Sequence, residues 1–277
     1  MIQAKKALIL LFTLNFITIS SQNQYKIFGH RGCRGIYPEN TLKGFKKAIE
    51  LNVDGIELDI VVNKNLELVI SHEPYIDSLY CIKNVLNKKE NIFKMNIKEI
   101  QEVDCGSKFI KEFPNQIKVK EQKPTFKEFS RTFKNYQGDI LIEIKYDSNK
   151  INEYYPNYSS YAKLIYNETK NGRVFKNLYL MSFNIKILKE LYKIMPDTKY
   201  IFLSESKDWI SQMKLLSFKP HGVGVKYKKI KKSLISEIHN NEQIIYAWTV
   251  NKLKKYKKLI ALGVDGIITD YPDIISK

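Results

Sequence analysis

Gly55-Ile56-Glu57-Leu58-Asp59-Ile60-Val61-Val62 (GIELDIVV) sets two carboxylates two positions apart in an otherwise apolar run. In a strand, residues two apart share a face. Glu57 and Asp59 therefore take one face, and Ile56, Leu58 and Ile60 turn towards whatever covers the sheet. Asp139-Ile140-Leu141-Ile142-Glu143-Ile144-Lys145 (DILIEIK) repeats the pattern, with Glu143 and Lys145 sharing a face. Inward carboxylates are costly to bury unless they stay ionised beside a cation. The all-oxygen set Glu57, Asp59 and Glu143 suits one hard divalent cation, Ca²⁺ or Mg²⁺. A salt-bridge network with Lys145 is the structural alternative.

Outward from these runs, short apolar segments alternate with amphipathic ones. The strand pattern falls on Lys26–Gly29, Gly55–Val62, Asp139–Lys145, Leu178–Ser182, Lys199–Leu203, Gly222–Val225, Gln243–Val250 and Gly266–Thr269. The helical pattern falls on Thr41–Asn52, Thr125–Asn135, Tyr158–Thr169, Ile185–Ile194, Lys207–Leu216, Lys232–His239 and Lys252–Leu262. Repeated strand–helix units predict an α/β fold with a parallel sheet, and eight strands predict a closed (β/α)₈ TIM barrel. A doubly wound open sheet is the rival, but it usually carries a glycine-rich phosphate loop, and no GxGxxG or Walker pattern occurs. After the second strand, Asn63-Lys64-Asn65 reads as a turn and Glu67–Ser71 as a returning hairpin strand. The roughly fifty residues of 73–123 have no clean period, long for a plain loop. They read as an insertion over one end of the barrel, within a single domain spanning 25–277.

The first 21 residues read as an address. Lys5 and Lys6 precede an apolar run from Ala7 to Ile19, after which Ser20, Ser21 and Gln22 turn polar. This is the pattern of a secretory signal peptide, and the run is shorter than the ~18 residues of a spanning helix. The expectation is an exported protein, periplasmic or extracellular, with an uncleaved signal anchor as the alternative. The formal charge is +17, yet only four of the 46 basic residues are Arg (Arg31, Arg34, Arg131 and Arg173). Nucleic-acid readers lean on the Arg fork, and the Lys here is spread along the chain, so no nucleic-acid partner is expected. A weak contact with an anionic membrane surface is the partner this charge allows.

Of the four histidines, His30 ends the first strand and His72 ends the hairpin strand, near the inward carboxylates. Arg31 adds a fork suited to phosphate. His221 in a Pro-His-Gly turn and His239 at the end of a lysine-rich helix take structural readings. Three cysteines leave at least one unpaired within a monomer. Cys33 lies in the His30–Gly35 loop, whereas Cys81 and Cys105 flank the middle of the insertion. In an oxidising compartment they are expected to bond, two buried thiols being the alternative.

His30-Arg31-Gly32, Pro38-Glu39-Asn40-Thr41, Glu57-x-Asp59 and His72 resemble the signature of the glycerophosphodiester phosphodiesterases. Glu143-x-Lys145, Ser182-Phe183, Trp248-Thr249-Val250-Asn251 and Gly266-Ile267-Ile268-Thr269-Asp270-Tyr271-Pro272 follow in family order, so the resemblance covers nearly all of residues 26–273. It implies a (β/α)₈ barrel with an insertion after the catalytic His. It also implies Glu57, Asp59 and Glu143 as metal ligands, His30 and His72 as the acid–base pair, and Arg31 and Lys145 on the phosphate. Trp248 offers a flat wall to the glycerol carbons, with core packing as its alternative. Glu73 departs from the pattern, since the family commonly has Asp after this His, and Arg34 stands where many members have a small residue. Pro38–Thr41 also has a local reading, in which Asn40 or Thr41 caps the following helix and Glu39 supports the site from behind.

The implied activity is metal-dependent hydrolysis of a small glycerophosphodiester to sn-glycerol 3-phosphate and an alcohol such as choline or ethanolamine. Either water or the substrate's own 2-hydroxyl can be the nucleophile. A phospholipase D-like enzyme acting on lysolipids or sphingolipids is the nearest rival. A non-catalytic binding protein on the same barrel is a rival of another class. The oligomeric state is not written in the sequence.

Overall fold

The computed structural model describes residues 25–82, 90–170, 175–206 and 209–275. The expected signal segment, residues 1–21, lies outside the described residues. Eight parallel strands form the barrel: β1 (Lys26–Gly29), β2 (Gly55–Val62), β3 (Asp139–Ile144), β4 (Leu178–Ser182), β5 (Lys199–Ser204), β6 (Gly222–Lys226), β7 (Ile244–Trp248) and β8 (Gly266–Thr269). Each pairs with the next, and β1 pairs with both β8 and β2, which closes the sheet. Four strands keep their expected bounds, and β3, β5, β6 and β7 differ from expectation by a residue or two. Lys145 falls just past β3, although its amide still donates to the Ile60 carbonyl at 3.2 Å.

Alternation along the strands builds two apolar layers. Phe28, Leu141, Tyr179, Met181, Ile201, Leu203, Tyr246 and Ile268 fill the barrel interior. Ile56, Leu58, Ile60, Ile140 and Ile142 face outward onto Phe45, Phe129, Tyr161 and Leu188 of the covering helices. Gly55 and Gly266 flank Phe28. A Cβ at either would come within 2.8 Å of its ring, so the missing side chains make room for the ring that plugs the barrel.

The helices begin where the sequence offers a cap. Thr41 caps Leu42–Glu50 by accepting from the Gly44 amide, and Thr125 makes a reciprocal capping box with Glu128 on Phe126–Thr132. The expected helix Lys207–Leu216 is described over Trp209–Lys214, since 207 and 208 lie outside the described residues. No helix among the described residues is long and apolar enough to cross a membrane.

The antiparallel strand Leu68–Ile70 returns along β2 and delivers His72 to the barrel mouth. Beyond it, Tyr75–Ile76 pairs with Glu90–Asn91, and a 3₁₀ turn (Ile92–Lys94) and a short helix (Ile97–Gln101) follow. Single anchors hold this segment, which explains its lack of period. Ile76, Ile92 and Ile100 are buried in the outer core. The Ile117 amide donates to the Ile36 carbonyl at 2.8 Å, and Cys81 is bonded to Cys105.

Candidate active site

β2 and β3 are neighbours in a register that sets Asp59 opposite Glu143. One carboxylate oxygen each from Glu57, Asp59 and Glu143 lies within 4.8 Å of the others. The ligand oxygens of a cation bound at about 2.0–2.6 Å lie no more than about 5 Å apart, so this set fits one ion.

The surroundings of each carboxylate support that fit. Asp59, 1% exposed, accepts from Asn40 Nδ2 at 2.9 Å on Oδ2, with Arg31 Nε at 3.3 Å from the same oxygen. Its Oδ1 is buried without a hydrogen bond. Burial favours the protonated Asp59 carboxyl, but Arg31, His72, Lys145 and the Asn40 hydrogen bond outweigh it and hold the group ionised below the usual range. Glu57 goes the other way: burial and the charges of Asp59 and Glu143 push its carboxyl well above the ordinary range. Its Oε2 accepts the Arg31 amide at 2.8 Å and lies 4.0 Å from His30 Nε2. The alternative network with Lys145 is present in part, since Lys145 Nζ sits 2.6 Å from Glu143 Oε1 and 3.7 Å from Asp59 Oδ1. One ammonium satisfies Glu143 yet leaves Asp59 Oδ1 unbonded and Glu57 short of positive charge. A divalent ion bound there would supply what is missing.

The His-Arg-Gly turn gains its shape from two successive left-handed residues, Arg31 (φ 49°) and Gly32 (φ 89°). That turn aims the Arg31 amide at Glu57 and its guanidinium at Asp59 and Glu39. Glu39 accepts from Arg31 Nη1 at 2.8 Å and lies 2.7 Å from Arg34 Nε. Burial opposes ionisation of Glu39, but Arg31, Arg34 and Lys123 keep its carboxyl below the ordinary range.

Each histidine is braced from behind. His30 Nδ1 donates to Asp270 Oδ1 at 2.6 Å, and His72 Nδ1 to Glu73 Oε1 at 2.6 Å. A carboxylate at Nδ1 fixes the tautomer and leaves Nε2 as the nitrogen able to accept a proton. Asn251 Nδ2 in turn donates to Asp270 Oδ2 at 2.5 Å. Glu73 thus does what an Asp could do there, with one more methylene.

A cavity of about 520 Å³ opens at the C-terminal mouth of the barrel. His30, Arg31, His72, Glu57, Glu143 and Lys145 line one side, and Met181, Leu203, Trp248 and Ile268 the other. Asp59 lies within the carboxylate cluster, so the fold brings together all eight expected site residues. His221 instead packs on Tyr179 with ring centroids 5.6 Å apart, and His239 Nε2 pairs with Asp265 Oδ2 at 2.9 Å, both away from the cavity. Three contributors lack a clear sequence signal: Asp270, Asn251 and Asn40. Asp270 and Asn251 stand inside marker blocks, but only barrel closure reveals what they touch. Asn40 was readable as a helix cap; Thr41 does that work, and Asn40, at φ 55°, holds Asp59.

A barrel mouth that sets two carboxylate-braced histidines and a guanidinium around a cation-ready carboxylate cluster has the make-up of a phosphoric diester hydrolase. The family follows from comparison with known proteins. The chain belongs to the glycerophosphoryl diester phosphodiesterase family, whose model matches residues 30–274. A glycerophosphodiester phosphodiesterase of Caldanaerobacter subterraneus subsp. tengcongensis is 29% identical, covering 90% of this chain and 95% of its own length. One from Bacillus altitudinis is 28% identical, covering 90% and 95%. Among solved structures, the Oleispira antarctica phosphodiesterase in complex with the product sn-glycerol-3-phosphate superimposes with a TM-score of 0.75. It shares 21% identity and covers 91% of this chain and 95% of that one. The family is metal-dependent, and the carboxylate cluster here can hold one ion.

Proposed function

We propose that the enzyme hydrolyses glycerophosphodiesters to sn-glycerol 3-phosphate and an alcohol, with Glu57, Asp59 and Glu143 holding one Ca²⁺ or Mg²⁺. The observation that carries this reading is a pair of histidines, each braced at Nδ1 by a carboxylate, lining one cavity with the carboxylate cluster. When bound, the ion neutralises phosphate charge and favours the more highly charged transition state. Arg31 and Lys145 add positive charge for the phosphate oxygens in the same cavity. One histidine Nε2 takes the proton from the nucleophile, water or the substrate's own 2-hydroxyl, as its oxygen bonds to phosphorus. The other donates a proton to the head-group oxygen as its bond to phosphorus breaks; where the 2-hydroxyl attacks, water then opens the cyclic phosphate to give sn-glycerol 3-phosphate. Trp248 gives the substrate an apolar wall.

The reading includes export. Its support is the charged, apolar, then polar order of the first 21 residues, together with the bonded Cys81–Cys105 pair, which suits an oxidising compartment. Sequencing the N-terminus of protein recovered from outside the cytoplasm tests it; a start at Met1 would leave only an uncleaved anchor.

The activity is tested by offering purified enzyme sn-glycero-3-phosphocholine and a lysophospholipid side by side, with Ca²⁺ or Mg²⁺. Release of glycerol 3-phosphate without lysolipid turnover supports the reading. Preferential lysolipid turnover replaces it with the phospholipase D-like activity, and turnover of neither removes it.

A further inference from the structure

The chemistry above uses one half of the cavity. The carboxylate cluster and His30 are carried by β1–β3, whereas Phe183, Glu205 and Trp248 line the cavity from the ends of β4, β5 and β7, with Lys226 at the end of the intervening β6. In that second half Glu205 has no part in the chemistry. A carboxylate lining a cavity that must attract a phosphodiester anion works against capture unless it meets a positive charge.

What Glu205 meets is an alkylammonium group. Lys226 Nζ lies 3.4 Å from Glu205 Oε1 and 5.9 Å from the centroid of the Trp248 ring. Phe183 stands edge-on to Trp248, with centroids 5.6 Å apart and planes at 89°, and is 42% exposed. The enzyme's own lysine therefore occupies a place between a carboxylate and an aromatic face. That arrangement holds ammonium ions by charge and by the ring quadrupole. The hold on Lys226 is weak, because its side chain is 44% exposed and that of Glu205 57% exposed, and exposed pairs are screened. A ligand ammonium tethered to a phosphate already bound across the cavity competes at high effective concentration.

We propose that Glu205, with Trp248 and Phe183, forms a subsite for a cationic head group, and that Lys226 occupies it until the substrate's ammonium displaces it. The inference rests on the hydrolase reading and narrows its substrates to zwitterionic diesters, carrying a quaternary or primary ammonium, ahead of those with neutral head groups.

The experiment compares kcat/KM for sn-glycero-3-phosphocholine and for glycerophosphoglycerol in the cation-loaded wild type, Glu205→Gln and Lys226→Met. The choline-to-glycerol ratio should fall about two- to fivefold in Glu205→Gln, the range of an exposed charge pair, and rise in Lys226→Met. An unmoved ratio in Glu205→Gln overturns the subsite. A fall in Lys226→Met also overturns it, because the lysine would then be serving the substrate. If the wild type turns over neither diester, the hydrolase reading fails by itself. The subsite is then read from Trp248 fluorescence in a Trp209→Phe background. Weaker binding of the choline diester after Glu205→Gln supports it, and equal binding overturns it.

Discussion

Oδ1 of Asp270 lies 2.6 Å from Nδ1 of His30, although 240 positions separate them. The contact is a product of barrel closure. β1 pairs in register with β8, Gly29 opposite Thr269, so the next residue on each strand end must meet its counterpart at the mouth. Asn251 holds the second Asp270 oxygen and accepts the Asp270 amide at 3.0 Å, which leaves the carboxylate little freedom to turn. The residue after the first strand is thus His30, and the residue after the last strand is its brace.

Asp270→Asn should lower kcat about 10- to 100-fold, the usual cost of removing a carboxylate that orients a histidine, with KM changed far less. The asparagine keeps the shape but not the charge, so the pH profile of kcat should also move. Direct loss of the base or acid in His30→Ala should cost more, about 10²–10⁴-fold. Near wild-type turnover with an unmoved profile in Asp270→Asn would show that something else orients the ring.

The same contact predicts acid behaviour. Burial favours protonated Asp270, but the His30 charge and hydrogen bond, with Arg34 and Asn251, outweigh it and hold the carboxyl below its ordinary range. A carboxyl depressed on folding contributes stability that is complete above the unfolded value, about 3.9, and is lost as pH falls through the folded one. The urea midpoint of the wild type should therefore drop more steeply below about pH 4 than that of Asp270→Asn. Parallel acid limbs would mean that the charge contributes nothing to folding.

The carboxylate cluster predicts a cation-dependent melting temperature. Ca²⁺ or Mg²⁺ at about 100 times its dissociation constant should stabilise the folded protein by about 2.7 kcal/mol. Chelation should remove both that gain and the activity. Glu143→Gln keeps the size of the side chain but removes one charged ligand, so its melting point should respond much less to added cation. An equal response in the two proteins would move the ion elsewhere.

The legible parts of the sequence were those with a short period. Glu57, Asp59 and Glu143 could be read as one group because period-two alternation fixes their face, and the structure sets Asp59 opposite Glu143. The strand ends were readable because apolar runs stop where the chain leaves the barrel. The insertion was not, since isolated anchors such as Ile92, Ile100 and Gln116 hold it and isolated anchors leave no pattern. The reading of Asn40 or Thr41 as the helix cap is met by Thr41, and the role of Asn40 left no pattern. Its left-handed backbone turns the side chain away from the helix it precedes and onto Asp59.

A path of contacts runs from the insertion to the His30–Gly35 loop. Cys81 is bonded to Cys105, 24 positions on, and the Ile82 amide donates to the Asp104 carbonyl at 2.7 Å. Beside Cys81, the Tyr80 hydroxyl accepts from Arg34 Nη2 at 2.8 Å. Arg34 also stacks over Phe113, 4.7 Å from its centroid, and shares Glu39 with Arg31. The disulfide thus pins one of the contacts that orient the cavity arginines. Replacing both cysteines in Cys81→Ser/Cys105→Ser should cost about 3.5 kcal/mol for a loop of this length in the chain-entropy model. Amides near Tyr80 and Cys105 should exchange faster. KM should rise, because Arg34 loses its hold on Tyr80, while kcat falls less, because the braces of His30 and His72, Asp270 and Glu73, lie outside the 81–105 loop. Melting, hydrogen exchange and steady-state kinetics on the double variant test the three parts separately. A variant that melts lower but keeps KM and the exchange pattern at Tyr80 would confine the disulfide to stability and cut the path to Arg34.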